Sequence, residues 1–162
     1  MEAPIRRVMV YVDGTDESIT AAEYSIALCA ATGAELSAAF VVNTRALAEL
    51  QKARIFLESE AADYQHDMED DALRYLELVK SMASSKGLEA QTVVGRGNIH
   101  EEMRRIIARE HIDLLCIGEI SHIRSRRDEM YDETDRTLRG VPCSVLVVRN
   151  PERVAQIFES MK

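Results

Sequence analysis

Apolar residues run through this chain in two alternating rhythms. Five short strand-like runs occur, the first of them nearly unbroken: Val8-Met9-Val10-Tyr11-Val12, Leu36 to Val42, Leu88 to Val94, Ile112 to Ile117 and Ser144 to Val148. Such runs are the pattern of strands buried on both faces. Between them the spacing changes to that of helices. Ile19, Ala22, Ile26 and Cys29 predict a helix that opens near Asp13-Gly14-Thr15-Asp16 and stops at Gly33. Ala61, Tyr64, Met68, Ala72, Leu76, Val79 and Ala83 share one face of a long helix that stops at Lys86-Gly87. Ile99, Met103, Ile106 and Ile107 line a third helix, with Asn98 and Glu101 in the form of a capping box. A short helix is predicted from Asp128 to Arg139, and Val154, Ile157, Phe158 and Met161 mark an amphipathic one at the end. The stretch from Asn43 to about Ile55 reads as a loop or a loose helix.

Strands that alternate with helices imply an α/β protein: an open, five-stranded parallel sheet with right-handed crossovers and helices on both faces. The order divides the chain into an α/β domain over 1–150 and a helical extension over 151–162. In such sheets ligands bind beyond the carboxyl ends of the strands, where the strand order reverses. That rim would carry Asp13, Gly14 and Thr15 after the first strand and Val41 at the end of the second. Gly95-Arg96-Gly97, read as a turn, follows the third, and Gly118 the fourth. Glycines there suit close backbone approach to a ligand, and turn geometry alone also selects them.

Composition removes several alternatives. The net charge of -8 argues against a nucleic-acid surface, which rewards clustered Lys and Arg. No apolar run spans a bilayer and the first ten residues do not form a secretory signal. Cys29, Cys116 and Cys143 are odd in number, far apart and set in apolar segments, so they read as reduced core residues of a cytoplasmic protein. His66, His111 and His122 have no metal-ligand spacing with any cysteine, and His100 reads as a surface residue. No nucleophile elbow or paired carboxylates announce catalysis, so the chain reads as no enzyme.

Three segments, Val10 to Ser18, His111 to Gly118 and Val141 to Val148, resemble in order and spacing the universal stress protein family. The resemblance covers Ile5 to Arg149. It implies an adenine nucleotide alpha hydrolase-like fold of strand order 3-2-1-4-5, and a homodimer joined through the last strand. It also implies an ATP pocket in which Asp13 meets the adenosine and Val41 meets the adenine through its backbone. The family's phosphate loop, G-x-x-G, nine residues, then G-[S/T], begins here at Gly118. Its later positions hold Ser121, Tyr131 and Asp132 instead. A Cβ, a ring and a carboxylate then stand where amides should meet phosphate, and like charges at such a contact cost several kcal/mol, roughly.

The leading expectation is therefore a homodimeric regulatory or interaction module whose pocket is empty or takes AMP. An alternative is an ATP switch that uses Arg124, Arg126 and Arg127 for the phosphates; against it, those arginines pair with Asp128, Glu129 and Glu133 on a solvated loop. A second alternative, a hydrolase of adenylated substrates, rests on a faint similarity of the Asp13 to Ser18 turn to a pyrophosphate loop. Asp13 itself has two readings, a ligand contact or the N-cap of the first helix. Strand Ser144–Val148 would be an apolar edge that pairing with a second copy covers. The terminal helix either wraps that copy, folds back on its own subunit or frays.

Overall fold

The structure, a computed structural model, describes residues 1–119 and 140–162. Five strands, β1 (Arg7–Tyr11), β2 (Glu35–Val42), β3 (Ala90–Arg96), β4 (Leu114–Gly118) and β5 (Ser144–Val148), form one sheet. All neighbours run parallel in the order β3-β2-β1-β4-β5. The inner strands are mostly apolar because their side chains alternate between two cores, while β3, at the edge, exposes Gln91 and Thr92. Val8, Val10 and Val12 enter one, with Leu36, Ala38 and Phe40; Met9, Tyr11, Ala39 and Val41 enter the other, with Leu115 and Ile117. Helices α1 (Asp16–Thr32) and α3 (Glu58–Ser85) close the first core, and α4 (Ile99–Glu110) closes the second. The switch in strand order lies between β1 and β4.

Local signals set the helix limits. Gly33, at φ 76°, ends α1 and its N–H donates to the Cys29 carbonyl at 2.8 Å. Asn98 caps α4, its side-chain oxygen accepting the Glu101 N–H at 3.1 Å. The inner face of α1 is small: Ser18, Ala21, Ala22, Ser25 and Cys29 are buried beside Ile26. Ser25 satisfies its hydroxyl by donating to the Ala21 carbonyl at 2.7 Å. Small side chains let α1 sit close against β1 and β4, and that closeness shapes the rim described below.

Several expectations change. Of the two readings of residues 43–55, the helix holds for Thr44–Lys52, α2, capped by Asn43. It buries only Leu47 and packs against α3. The third strand is Ala90–Arg96, so Gly95 and Arg96 belong to the strand and only Gly97 makes the turn, at φ 127°. The fourth is Leu114–Gly118. Leu88 and Ile112 lie outside these ladders because apolarity reports burial, not pairing. On α3, Tyr64 is half exposed; the core is reached only from Met68 onward.

The final helix, α5 (Pro151–Ser160), folds back on its own subunit. Val154 is buried and Phe158 and Met161 pack against the α1 core. Lys86 holds its end, donating to the Met161 carbonyl at 3.0 Å and lying over the Phe158 ring. The predicted helix at 128–139 lies outside the described residues. No helix among the described residues is long and apolar enough to cross a membrane.

Candidate functional site

The turn after β1 is built by its own side chains. One carboxylate oxygen of Asp13 accepts both the Thr15 N–H, at 3.0 Å, and the Thr15 hydroxyl, at 2.6 Å. Thr15, thus oriented, is the N-cap of α1 and accepts the Ser18 N–H at 3.2 Å. Asp13 is therefore not the cap; it positions the cap. Among the described residues its second oxygen accepts no hydrogen bond, so Asp13 keeps an acceptor free at the rim.

Val41 stands beside this turn. The last β1–β2 pair is Tyr11 with Ala39. Backbone groups of β2 alternate in direction: the Ala39 carbonyl accepts the Val12 N–H on the β1 side, and the Val42 carbonyl accepts the Gly97 N–H on the β3 side. Val41, two residues beyond Ala39, therefore directs its N–H and C=O toward β1 where β1 has already ended. Its side chain is buried in the second core. A buried residue thus presents one donor and one acceptor, side by side, next to a free carboxylate oxygen.

The glycines of the rim serve neighbours within the protein. A Cβ on Gly118 would lie 2.5 Å from the Glu17 backbone, so this residue lets β4 end flush against the first turn of α1. Gly14, at φ 83°, supports the Tyr75 ring of α3, which a Cβ would meet at 2.9 Å. A Cβ on Gly95 would meet Glu102 at 3.1 Å and Ile106 at 3.2 Å, the inner face of α4. Gly97 also lies beneath Glu102. Asp13, Gly14, Thr15, Val41 and Gly118 gather around the switch point, whereas Gly95 and Gly97 sit one strand further out, on β3. Tyr75 and Glu102 escaped the sequence reading because each reaches the rim from a helix remote in sequence or from the far side of a turn. The one available signal was Tyr75's place beside Ala72 and Leu76 on the apolar face of α3.

The described rim is acidic. Asp16 and Glu17 occupy the first turn of α1, Asp13 precedes them, and Glu119 follows β4. Glu119 is met by Arg149 at 3.7 Å, a solvated pair of small energetic weight. Further out, Glu102 receives a bidentate Arg105, which holds its carboxyl below the usual range. Arg96 is likewise committed to Glu69, at 2.6 and 2.7 Å, lowering the Glu69 carboxyl and raising the Arg96 guanidinium. His100 is not a surface residue: its ring lies against Gly140, and its buried Nδ1 has no partner among the described residues. Ser121, Arg124, Arg126, Arg127, Tyr131 and Asp132 lie outside the described residues.

No group of His, Cys, Asp and Glu among the described residues is arranged to hold a metal ion. A cleft of about 360 Å³ opens at the opposite, amino ends of the strands. Its cation, Arg7, is already engaged, by Glu35 at 3.3 Å and the Glu110 carbonyl at 3.2 Å. The carboxyl-end rim, where the fold gathers free backbone groups, is the better site.

Comparison with known proteins agrees with this geometry. The sequence model of the universal stress protein family matches residues 4–149. The chain belongs to the universal stress protein family. It is 24% identical over 149 residues to a universal stress protein of Methanocaldococcus jannaschii, covering 91% of this chain and 84% of that protein. A universal stress protein family structure from Burkholderia pseudomallei superposes with a TM-score of 0.71 at 16% identity, covering 93% of this chain and all of that one. A family protein from Arabidopsis thaliana, solved with AMP bound, gives a TM-score of 0.63 at 14% identity, with 91% and 94% covered. These likenesses show the fold, with its adenine nucleotide alpha hydrolase-like architecture. The universal stress protein match ends at Arg149, immediately before α5.

Proposed function

We propose that this protein is a non-enzymatic, homodimeric regulatory module of its family, and that its rim takes an adenine nucleotide of low charge such as AMP. The observation that carries the reading is Val41. A paired donor and acceptor on a rigid strand, opened by the early end of β1, match the donor–acceptor edge of adenine. The free oxygen of Asp13 lies where a ribose hydroxyl or an adenine amine can donate to it. The Arabidopsis family member's AMP is consistent with such a ligand.

Charge decides how many phosphates are tolerated. Asp13, Asp16, Glu17 and Glu119 surround the crevice, and the described arginines close to the carboxyl ends of the strands, Arg45, Arg96 and Arg149, already face carboxylates. Polyphosphate adds like charge to this field, at a cost of several kcal/mol, roughly, where water is partly excluded. Adenosine and AMP add little or none. The homodimer is argued from β5, an edge strand whose Val145, Leu146 and Val147 remain half exposed in the single subunit. Pairing two such edges about a two-fold axis would cover them.

Calorimetric titration of AMP, ADP and ATP, with and without magnesium, tests the ligand. The expected order is AMP tighter than ATP, with AMP binding weakened in Asp13→Ala. ATP binding tighter than AMP, and lost when Arg124, Arg126 and Arg127 become alanine, would overturn it. Turnover of ATP that disappears in Asp13→Ala would show an enzyme instead.

A further inference from the structure

Helix α3 is far longer than the strand it precedes. Its 28 residues measure about 42 Å, while the seven of β3 span about 23 Å. Its fully buried core contacts, Ala72, Leu76, Val79 and Ala83, fall in the second half, and Met68 alone adds a partly buried one from the first. The first half is buried only at Ala61, and α2 packs against it. These two helices form a hairpin that rises past the carboxyl ends of the strands, anchored at its base by the Glu69–Arg96 pair.

The tip of that hairpin is apolar and open. Ile55, Leu57 and Tyr64 are 63%, 67% and 50% exposed, and Phe56 packs its ring against Tyr64 at 5.8 Å. Apolar side chains gain by leaving water, so holding these in solvent is a standing cost. Lys52 and Arg54 precede these residues, but the chain that follows them is one-signed. Glu58, Glu60, Asp63, Asp67, Glu69, Asp70 and Asp71 follow the tip without a Lys or Arg among them. Glu58, Asp63 and Asp67 form no ion pair among the described residues.

We propose that the tip of the α2–α3 hairpin is a docking surface for a basic amphipathic segment of a partner protein. Apolar anchors of such a segment cover Ile55, Phe56, Leu57 and Tyr64, while its Lys and Arg side chains meet the unpaired carboxylates of α3. A second copy of this chain does not fit, since a two-fold contact would set the same carboxylates against each other. Helix α3 packs on β2 and β3, at the far side of the sheet from β5, so its tip stays open when β5 pairs. The inference does not depend on which nucleotide the rim takes.

The test uses the full chain and a synthetic amphipathic Leu/Lys helical peptide of about four turns. A Leu/Glu peptide of the same pattern serves as control, and binding is read by fluorescence anisotropy. The Leu/Lys peptide is expected to bind in a salt-sensitive manner. The triple variant Ile55→Ser, Leu57→Ser, Tyr64→Ser should lose about tenfold or more in affinity. Leu73→Ser, an equally exposed site on the other side of α3, should change it less than about twofold. Because the three tip residues are exposed, the variant should keep the parent's circular dichroism and melting curve; if it does not, Asp63→Asn with Asp67→Asn replaces it and should weaken binding severalfold. No binding of the Leu/Lys peptide, equal binding of the Leu/Glu peptide, or an undiminished affinity in a folded tip variant overturns the proposal. So does sedimentation showing that the tip variants break up the protein's own oligomer.

Discussion

Substituting Gly118 by alanine separates two readings of the rim. If the glycine exists to let a ligand approach, the substitution leaves the ligand-free protein as stable as before. The structure argues the opposite. The new Cβ would sit 2.5 Å from the carbonyl carbon and oxygen of Glu17 and 2.8 Å from its Cβ. Ordinary carbon contacts lie near 3.5–4.0 Å, so about 1 Å must be found. None of the offending atoms belongs to the end of a flexible side chain. Either β4 retreats from its ladder with β5, or the first turn of α1 lifts off the sheet. Overpacking of this kind costs typically about 1–3 kcal/mol, and a backbone obstacle places it near the top, about 3. For a chain of this length that lowers the melting temperature by about 6–12 °C. Thermal unfolding of extensively dialysed protein, followed by circular dichroism, gives the answer. A shift smaller than about 2 °C, with AMP affinity reduced, would refute the packing argument and return Gly118 to the ligand.

Other consequences follow from the same contacts. Removing residues 151–162 uncovers the seat of Val154, Phe158 and Met161 on α1, so the melting temperature should fall while the oligomeric state in sedimentation stays unchanged; dissociation would mean that the helix bridges subunits. The Asp113 carboxylate accepts the N–H groups of Arg6 and Arg7, both at 2.9 Å, which lowers its pKa. Its contribution is therefore complete above the ordinary Asp value, about 4, and disappears as pH falls through the lower folded value. Asp113→Asn should be less stable than the parent at pH 6, with the gap closing below pH 4, roughly; an equal gap at all pH values would exclude the linkage. Burial pushes the thiols of Cys29 and Cys116 up to about 12 and about 11. An alkylating reagent at neutral pH should label the half-exposed Cys143 first and the other two only on unfolding, as read by peptide mass spectrometry.

The pattern of residues determined the larger design by itself. Doubly buried strands must be apolar at every position, and helices that cover them must be apolar at every third or fourth, so β1 through β5, α1, α3, α4 and α5 were all legible. So were the strand ends at which Asp13, Val41 and Gly118 stand, with a strand order that the family resemblance supplies. Helix α2 was legible only as one of two alternatives, a loop or a loose helix, since it buries Leu47 alone. Periodicity does not record how far past the sheet a helix continues, so the extent of α3 against β3 was hidden too.

The tertiary structure decided what each rim residue does. Asp13 read as either a ligand contact or a cap; Thr15 is the cap and Asp13 its support, a distinction made by two hydrogen bonds within three residues. Gly14, Gly95 and Gly118 looked like room for a ligand, yet Tyr75, Glu102 and the Glu17 backbone fill that room. A glycine in a sequence states only that a Cβ is unwelcome; the neighbour that excludes it comes from another part of the chain. The same holds for Val41, whose backbone is free only because β1 ends two residues too early to pair with it.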